Sequence, residues 1–479
     1  MQAGGRISRR GLLGAAAALG AAGAVGAPRV ARAGRPRASA ARSVGQLPPR
    51  GEFVVRGAYV LTMDPALGDL PRGDIHVRDG AIVAVGADLA APGAEVIDGR
   101  TMIALPGLIE THWHMWGAVA RNMAGEEPDT GYFPWSRVLG ATFTPEDNYR
   151  GVRLALAEAL YSGITTVHNW SHNLLSPEYA DVELRAHQEI GGRARFAYGY
   201  SRNTGPNEAL PLADVARVHR EYFSRPTDGL LTLGIATRGP ENNSIDICRQ
   251  EWDAARALGI GITTHVGITP DRVQGIQMLG EAGLLGPDVQ LVHATNNTYA
   301  DFELLAATGT HVSLSPYTEL RTGFGITPIG DLLRAGVPVS LSIDTTLLCG
   351  NADMFAVMKA MQNIADGLAQ SEFAITPRRV LEMATIDGAR DLGIADRVGT
   401  LTPGKRADLI LVRTTDVNMA PLTEPVRMIV QAAQPHNVDT VIVDGRILKR
   451  GGQLTALDVE QVVREAQETM DRVRAQVGA

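Results

Sequence analysis

The stretch Leu105-Pro106-Gly107-Leu108-Ile109-Glu110-Thr111-His112-Trp113-His114 is the most informative part of this 479-residue sequence. It continues an apolar run that predicts a β-strand over 102–105, extending to Ile109, and it ends in two histidines. Side chains two residues apart leave an extended backbone on the same face, so the rings of His112 and His114 point the same way. Two converging imidazoles are what a divalent cation needs.

Beyond this stretch, short apolar runs alternate with helical patterns, which is typical of parallel βα units. Eight successive strands are predicted, and they favour an α/β fold, a (β/α)8 barrel of the TIM type, with its chemistry at the carboxyl ends of the strands. After the first, the strands are predicted at 165–168, 195–198, 231–235, 260–265, 289–293, 310–314 and 337–343.

The predicted barrel covers residues 105–398. The segments on either side of it show β patterns instead. Asp79-Gly80 and Asp444-Gly445 lie between apolar runs and predict hairpin turns. These patterns indicate a small β-sandwich domain formed from both ends of the chain, residues 51–104 and 399–455. Residues 456–479 are predicted to form an amphipathic C-terminal helix that packs on the barrel or on a second subunit, so homo-oligomerisation stays open.

The first 35 residues have the features of a signal peptide, since three arginines precede an uncharged run from Gly11 to Ala27. The order Ser8-Arg9-Arg10-Gly11-Leu12-Leu13 resembles a bacterial twin-arginine signal. We therefore expect export to the periplasm or beyond, with a standard secretory signal or weak anchor as the alternative. The run is too short and too rich in Ala and Gly for a stable membrane span. Residues 36–50 are predicted to be a linker.

The net charge and the cysteine content limit which partners and which kinds of metal site this chain can have. The net charge is −7 and no basic cluster follows the first 50 residues, which argues against nucleic acid and favours a small-molecule substrate. Cys248 and Cys349 are too few and too far apart for a thiolate metal cage.

The histidines indicate where the chemistry lies. Of eleven, five fall at or just beyond the end of a predicted strand. They are His112, His114, His168, His265 and His293. Asp344 follows the eighth strand, and a barrel brings all these strand ends around one mouth. Imidazoles with one carboxylate suit Zn²⁺ or Fe²⁺.

The stretch 105–114 resembles the first-strand signature of the amidohydrolase superfamily. Residues 325–344 resemble strands seven and eight of its cytosine-deaminase and s-triazine-hydrolase branch, and residues 384–409 resemble the return of that branch from barrel to β-domain. The resemblance covers nearly the whole mature chain.

This resemblance implies that one divalent metal ion is bound by four residues, with His293 beside it holding substrate or water. The implied ligands are His112, His114, His265 and Asp344. Asp344 can also take a proton from the attacking water. Dinuclear members commonly bridge two metals with a carbamylated lysine on strand four, but Lys359 is the first lysine of this chain. A mononuclear centre follows.

Two departures from the branch bear on the reaction. Ile268 stands where related deaminases carry the glutamate that passes protons to the leaving amine, and residues 236–240 lack their strand-four histidine. Purine or pyrimidine deamination is thereby placed in doubt, and the general acid is unassigned. The candidates for that role are Glu241, Glu319, Asp271, His168 and His172.

Several residues near the predicted mouth suggest a pocket for an apolar or aromatic ligand, although packing roles are an alternative for each. They are Trp113, Trp116, Asn169, Trp170 and the segment 132–135, with Glu241 and Glu319 as further candidate substrate contacts.

The sequence thus predicts an exported, mononuclear, metal-dependent amidohydrolase. It would use activated water to hydrolyse a non-peptide C–N bond of a cyclic amide, an amidine, or an amino- or halo-substituted heterocycle. One alternative is a metal-dependent lyase, cyclase or isomerase on the same scaffold, motivated by the missing glutamate. Another is a binding protein without activity.

Overall fold

A computed structural model describes residues 47–201, 204–205, 207–224 and 229–477. The signal peptide predicted for residues 1–35, and the linker as far as residue 46, lie outside the described residues. The end of that linker already contacts the folded chain, because Arg50 Nε donates to Asp444 Oδ2 at 2.7 Å.

Strands and helices alternate along most of the chain. The strands are β1 (Phe53–Leu61), β2 (Asp69–Arg78), β3 (Ala81–Gly86), β4 (Glu95–Asp98), β5 (Met102–Pro106), β6 (Leu108–Trp113), β7 (Ile164–Ser171), β8 (Arg193–Gly199), β9 (Leu231–Thr237), β10 (Gly261–Val266), β11 (Val289–His293), β12 (His311–Leu314), β13 (Val339–Leu341), β14 (Leu409–Arg413), β15 (Val438–Val443), β16 (Arg446–Arg450) and β17 (Gln453–Leu454).

The α-helices are α1 (Tyr132–Thr142), α2 (Pro145–Tyr161), α3 (Pro177–Ile190), α4 (Leu212–Val218), α5 (Ile245–Leu258), α6 (Gly275–Glu281), α7 (Tyr299–Thr308), α8 (Pro316–Thr322), α9 (Ile329–Ala335), α10 (Thr346–Cys349), α11 (Met354–Ala369), α12 (Pro377–Met383), α13 (Ile386–Asp391), α14 (Pro425–Gln431) and α15 (Val459–Val477). Short 3₁₀ helices cover Met115–Ala120 and Pro435–Asn437, and a π-helical turn covers His219–Phe223. Within the described residues, no helix is both long enough and apolar enough to cross a bilayer.

The predicted barrel is confirmed. Strands β6 to β13 form one parallel sheet in which neighbours in sequence are neighbours in space. Asp344, just after β13, completes the ring, since its N–H donates to the His112 carbonyl at 2.8 Å and its carbonyl accepts from the His114 N–H at 2.7 Å. The backbone that closes the barrel thus carries three of the candidate metal ligands.

The first predicted barrel strand is in fact two strands. β5 pairs with β1 and β14 in a second sheet, and only β6 belongs to the barrel. The break falls at Gly107, whose N–H donates to the Asp408 carbonyl at 3.0 Å. A Cβ at Gly107 would lie 2.0 Å from Thr165 Oγ1, so this close crossing between the sheets requires glycine.

The second sheet confirms that both ends of the chain build one β-domain. It is a mixed sheet of nine strands, with β1 to β5 from one end and β14 to β17 from the other. Both predicted hairpin turns are present, with φ of 50° and 81° at Asp79-Gly80 and of 53° and 72° at Asp444-Gly445. The two turns meet, because a Cβ on Gly445 would lie 2.5 Å from the Gly80 Cα.

Helix α15 packs on its own chain through one apolar face. Val462, Ala466, Met470 and Val473 are buried, whereas Val459 and Val463 are exposed. Some of these buried side chains share a cluster with residues around the barrel mouth, namely Trp116, Leu139, Phe143 and Leu347. The C-terminal helix therefore supports the loops that follow β6 and β13.

A buried ion pair joins the barrel to the mixed sheet. Arg193 Nε and Nη2, at the start of β8, lie 2.7 and 3.0 Å from the two carboxylate oxygens of Asp408, and both side chains are almost fully buried. Asp408→Ala would remove the carboxylate that neutralises the buried guanidinium charge. We expect the free energy of unfolding to fall by about 3–5 kcal/mol, measured by denaturant titration.

The matched control is Asp331→Ala, which breaks an exposed pair with Arg334. Exposed pairs contribute about 0–1 kcal/mol, so this variant should unfold close to the unmodified protein. Equal unfolding midpoints for the two variants would contradict the structural role of Asp408.

Candidate metal centre

Four candidate ligands lie at the carboxyl end of the barrel: His112 on β6, His114 just after it, His265 on β10 and Asp344 in the segment after β13. Asp344 Oδ1 lies 3.3 Å from Nε2 of His112 and 3.3 Å from Nε2 of His114. His112 Nε2 lies 3.2 Å from His265 Nε2. Ligands about 2.0–2.1 Å from a tetrahedral zinc ion lie roughly 3.3 Å from one another. Two overlapping groups of donor atoms among the described residues could hold a cation, His112-His114-Asp344 and His112-His265-His293, since the atoms of each group lie within 4.8 Å of one another.

The hydrogen bond of His114 shows which of its nitrogens carries the proton. Nδ1 lies 3.3 Å from the Trp170 carbonyl, which can only accept, so Nδ1 bears the hydrogen and Nε2 presents a lone pair. That lone pair faces Asp344 Oδ1, another acceptor. A cation between the two would accept both the lone pair of His114 Nε2 and one from Asp344 Oδ1.

Burial sets the charge of these groups. It lowers the pKa of His112 and of His265 well below the ordinary histidine value, and the neighbouring histidines lower each further. Burial also raises the pKa of Asp344, while His293 and His265 oppose that rise. Neutral imidazoles with one carboxylate form a donor set that suits Zn²⁺ or Fe²⁺.

Glu110 lies beneath the site and holds three strands together. Its carboxylate accepts from the backbone N–H groups of His112, Ile343 and His168 at 2.7, 3.2 and 3.4 Å. Burial raises the pKa of Glu110 to about 8, and these three hydrogen bonds oppose the rise. Sequence analysis gave this residue no role, although it stands inside the stretch 105–114.

The backbone is strained at the same place. His293, Ala294 and Asp344 have φ of 76°, 51° and 65°, a region that costs non-glycine residues energy. Strain of this kind is concentrated at functional sites because the surrounding structure holds it there. Here it turns the chain so that the side chains of His293 and Asp344 reach the mouth of the barrel.

A cavity of 660 Å³ opens above these groups. Its floor contains His114, His265, His293 and Asp344. The walls combine aromatic side chains with charged ones. Ile268, which stands in the place of the deaminase glutamate, also lines the cavity. The aromatic residues are Tyr132, Phe133, Tyr200 and Phe324, and the charged ones at the walls and rim are Arg137, Arg238, Arg272 and Asp271.

His172 belongs to the cavity wall, and Trp116 holds it from behind. The indole Nε1–H of Trp116 donates to His172 Nδ1 at 3.2 Å. Because an indole can only donate, Nδ1 is an acceptor and the hydrogen of His172 is on Nε2. The ring centroids of His172 and His114 are 4.3 Å apart. His172 therefore stands next to the metal centre as a hydrogen-bond donor.

Trp170 and Trp113 lie behind the ligands rather than in the cavity lining. The Trp170 ring centroid lies 4.4 Å from that of His265 and 5.0 Å from that of His114, and its Nε1–H donates to Thr263 Oγ1 at 3.3 Å. Trp113 is fully buried in the main apolar core. The Trp170 indole supports the imidazoles, and neither tryptophan lines the cavity.

The structure does not bring Asn169 or His168 into the cavity. Alternation along β7 turns Asn169 toward α3, where its amide donates to Glu183 Oε2 at 2.8 Å. His168 lies inside the barrel below the ligands, with Nδ1 2.9 Å from the Thr111 carbonyl, and burial lowers its pKa to about 3.

The three candidate carboxylates lie in three different environments. Glu241 accepts from the Gly267 N–H at 2.8 Å and so fixes the turn after β10, and burial raises its pKa to about 7. Asp271 is exposed at the cavity rim. Glu319 is fully buried and contacts His293 Nδ1 at 3.2 Å.

Tyr200 and Arg238 are among the cavity residues that sequence analysis did not single out. Tyr200 follows β8 and Arg238 follows β9, and the Arg238 guanidinium lies 4.9 Å from the centre of the Tyr200 ring. Both stand at the carboxyl end of a barrel strand, where binding residues of this fold belong. That position alone was a signal that could have identified them.

Comparison with known proteins agrees with this geometry. The sequence profile described as Amidohydrolase family matches residues 103–448. The chain is similar to a 5′-deoxyadenosine deaminase of Methanosarcina mazei, with 29% identity over 445 residues, which cover 89% of this chain and all of the relative.

Solved structures show the same architecture. An adenosine deaminase from Xanthomonas campestris with bound zinc superposes with a TM-score of 0.82 at 25% identity, covering 89% of this chain and 100% of that one. An atrazine chlorohydrolase from Arthrobacter aurescens complexed with zinc superposes with a TM-score of 0.79 at 23% identity, covering 87% of this chain and 100% of that one. The second likeness shows the shared fold.

Proposed function

We propose that this chain, which belongs to the amidohydrolase family, hydrolyses a non-peptide C–N bond of a small heterocycle at a single divalent metal ion. The observation that carries the proposal is a cluster of four buried or half-buried histidines with Asp344, which forms two overlapping groups of possible ligands, His112-His114-Asp344 and His112-His265-His293, at the base of a cavity. Zn²⁺ and Fe²⁺ both suit this donor set.

The substrate class follows from the cavity and from the relatives. A deaminase of 5′-deoxyadenosine and an adenosine deaminase are among the similar proteins, and both names denote attack on an amino-substituted heterocycle. The aromatic walls of the cavity suit a flat ring. The guanidinium groups of Arg238 and Arg272 suit a polar or acidic substituent at its outer end.

The protein residues have distinct tasks in this proposal. When bound, the metal ion supplies a Lewis acid that lowers the pKa of water. His112, His114, His265 and Asp344 hold the ion, and Asp344 Oδ2 accepts the proton of the attacking water. His172 Nε2–H donates a hydrogen bond to an acceptor atom of the substrate, and Trp116 keeps the ring in that orientation.

The test is turnover in water enriched in oxygen-18. The probes are 5′-deoxyadenosine, 5-methylthioadenosine, cytosine and an amino-substituted chlorotriazine, with ammonia release and product mass as readouts. Hydrolysis predicts ammonia together with one oxygen-18 atom in the product. A converted probe whose product carries no label would overturn the hydrolytic proposal.

A non-hydrolytic lyase, cyclase or isomerase is a second candidate, and one observation favours it. Among the described residues that line the cavity, the carboxylates are Asp344 and the exposed Asp271, while Ile268 takes the place of the deaminase glutamate. Among the described cavity residues, Asp344 is therefore the one acidic side chain beside the candidate metal centre that could pass a proton to a leaving amine. Conversion of a probe without ammonia and without label would favour this candidate.

We also propose that the enzyme is exported in folded form through a twin-arginine signal at residues 1–35. Because that pathway recognises the arginine pair, an Arg9→Lys, Arg10→Lys variant is expected to remain in the cytoplasm. The measurement is cell fractionation of a bacterial host followed by immunoblotting. Lysines in place of Arg37 and Arg42 make the same change in the linker and serve as control. Equal export of both variants would contradict the proposal.

A further inference from the structure

Glu319 is a buried carboxylate that neither lines the cavity nor belongs to the metal centre. It stands on α8 with 0% exposure. Its Oε1 accepts from the Ser315 N–H at 2.8 Å and lies 3.2 Å from His293 Nδ1. Its Oε2 accepts from the Thr327 hydroxyl. Both of its oxygens are thus directed at donors supplied by this chain.

These contacts determine which nitrogen of His293 carries hydrogen. As a carboxylate, Glu319 has only acceptor atoms, so the contact with His293 is a hydrogen bond only when Nδ1 bears the hydrogen. When the ring carries this one hydrogen, Nε2 presents a lone pair. It lies 3.8 Å from Asp344 Oδ2, beyond hydrogen-bond distance, and the ring lines the cavity.

The ring of His293 is also held in place. The Phe324 ring meets it edge-on at a centroid distance of 5.2 Å, and the His265 ring stacks on it at 5.4 Å. Its backbone φ of 76° is strained. An imidazole held by two rings and one carboxylate cannot flip to exchange the positions of its two nitrogens.

We propose that Glu319 is a positioning residue that holds His293 in the Nδ1–H tautomer, so that Nε2 acts on the cavity as a hydrogen-bond acceptor. The inference deepens the proposed function and rests on it for the reaction. His293 then receives an N–H or O–H group, such as the amino group of a substrate or the attacking water.

The role also accounts for Glu319 itself. Sequence analysis proposed Glu319 as a general acid or a substrate contact. Its carboxylate is instead fully buried and accepts hydrogen bonds from Ser315 and Thr327, so it is not placed to touch a substrate. Carboxylates that orient an active-site imidazole in this way commonly change activity by about 10–100-fold when they are removed.

The direct test is ¹⁵N NMR of the metal-loaded enzyme labelled at histidine, with the His293 signals assigned from a His293→Gln variant. The expected result is a protonated Nδ1 and an unprotonated Nε2 for His293. A protonated Nε2 in the unmodified enzyme would overturn the proposal. This readout requires no substrate, so it is independent of whether the proposed reaction is correct.

Two variants extend the test to activity. Glu319→Gln keeps an oxygen that accepts from Nδ1–H, so the tautomer should persist and kcat should fall less than about tenfold. Glu319→Leu has no acceptor, so the Nδ1–H signal should be lost and kcat should fall about 10–100-fold with KM little changed. Glu303→Leu, an exposed change on α7, is the control. An unchanged His293 spectrum, or an unchanged kcat, in a folded Glu319→Leu enzyme would contradict the role.

Discussion

Asp344→Ala is expected to lower turnover by about 10²–10⁴-fold or more, the range for loss of a general base, together with loss of bound metal. The carboxylate has two tasks in the proposed mechanism. Its Oδ1 lies 3.3 Å from Nε2 of both His112 and His114, so it belongs to the group proposed to hold the cation. Its Oδ2 faces His293 and is proposed to accept the proton of the attacking water.

Asp344→Asn separates these tasks. The amide keeps one oxygen toward the histidines but cannot accept a proton as a carboxylate does, so more metal should remain than in Asp344→Ala while turnover stays low. The measurements are turnover of the converted probe and metal content by inductively coupled plasma mass spectrometry. Asp331→Ala is the exposed control. Full turnover and full metal content in Asp344→Ala would show that the site is assigned to the wrong residues.

Removing the metal with a chelator is expected to abolish turnover and to lower the unfolding temperature. Without a cation, two acceptors, the lone pair of His114 Nε2 and the Asp344 carboxylate, face each other at 3.3 Å. A ligand present at 100 times its dissociation constant stabilises the folded state by about 2.7 kcal/mol. One equivalent of Zn²⁺ or Fe²⁺ should restore both turnover and stability.

The control for chelation is the same treatment of Asp344→Ala. Its site is already broken, so its unfolding temperature should change little when chelator is added. If the unmodified protein also kept its turnover and unfolding temperature after complete metal removal, the metal-dependent account would fail.

The architecture could be predicted because it rests on local patterns. Each barrel strand is an apolar run bounded by turns, and Asp79-Gly80 carries its own conformational preference for a hairpin. The division of the first strand at Gly107 was missed because it depends on Thr165 and Asp408, which are distant in sequence. Apolar runs show where a strand lies but not which sheet it joins.

The location of the candidate site could be predicted because barrel topology alone determines where the strand ends meet. His112, His114, His265 and Asp344 follow strand ends, and a closed barrel brings those ends together. Side-chain direction was harder, because only the register of β7 turns Asn169 toward α3. The contact of Glu319 with His293 joins the end of β11 to α8, the helix that follows β12. No spacing rule in the sequence indicates this contact.

The most direct test is anomalous X-ray diffraction from crystals of the enzyme purified without chelator, recorded above and below the absorption edges of zinc and iron. The account predicts one anomalous peak per chain, about 2.0–2.2 Å from Nε2 of the three ligand histidines and from a carboxylate oxygen of Asp344. No peak, two peaks, or one peak elsewhere in the chain would contradict it.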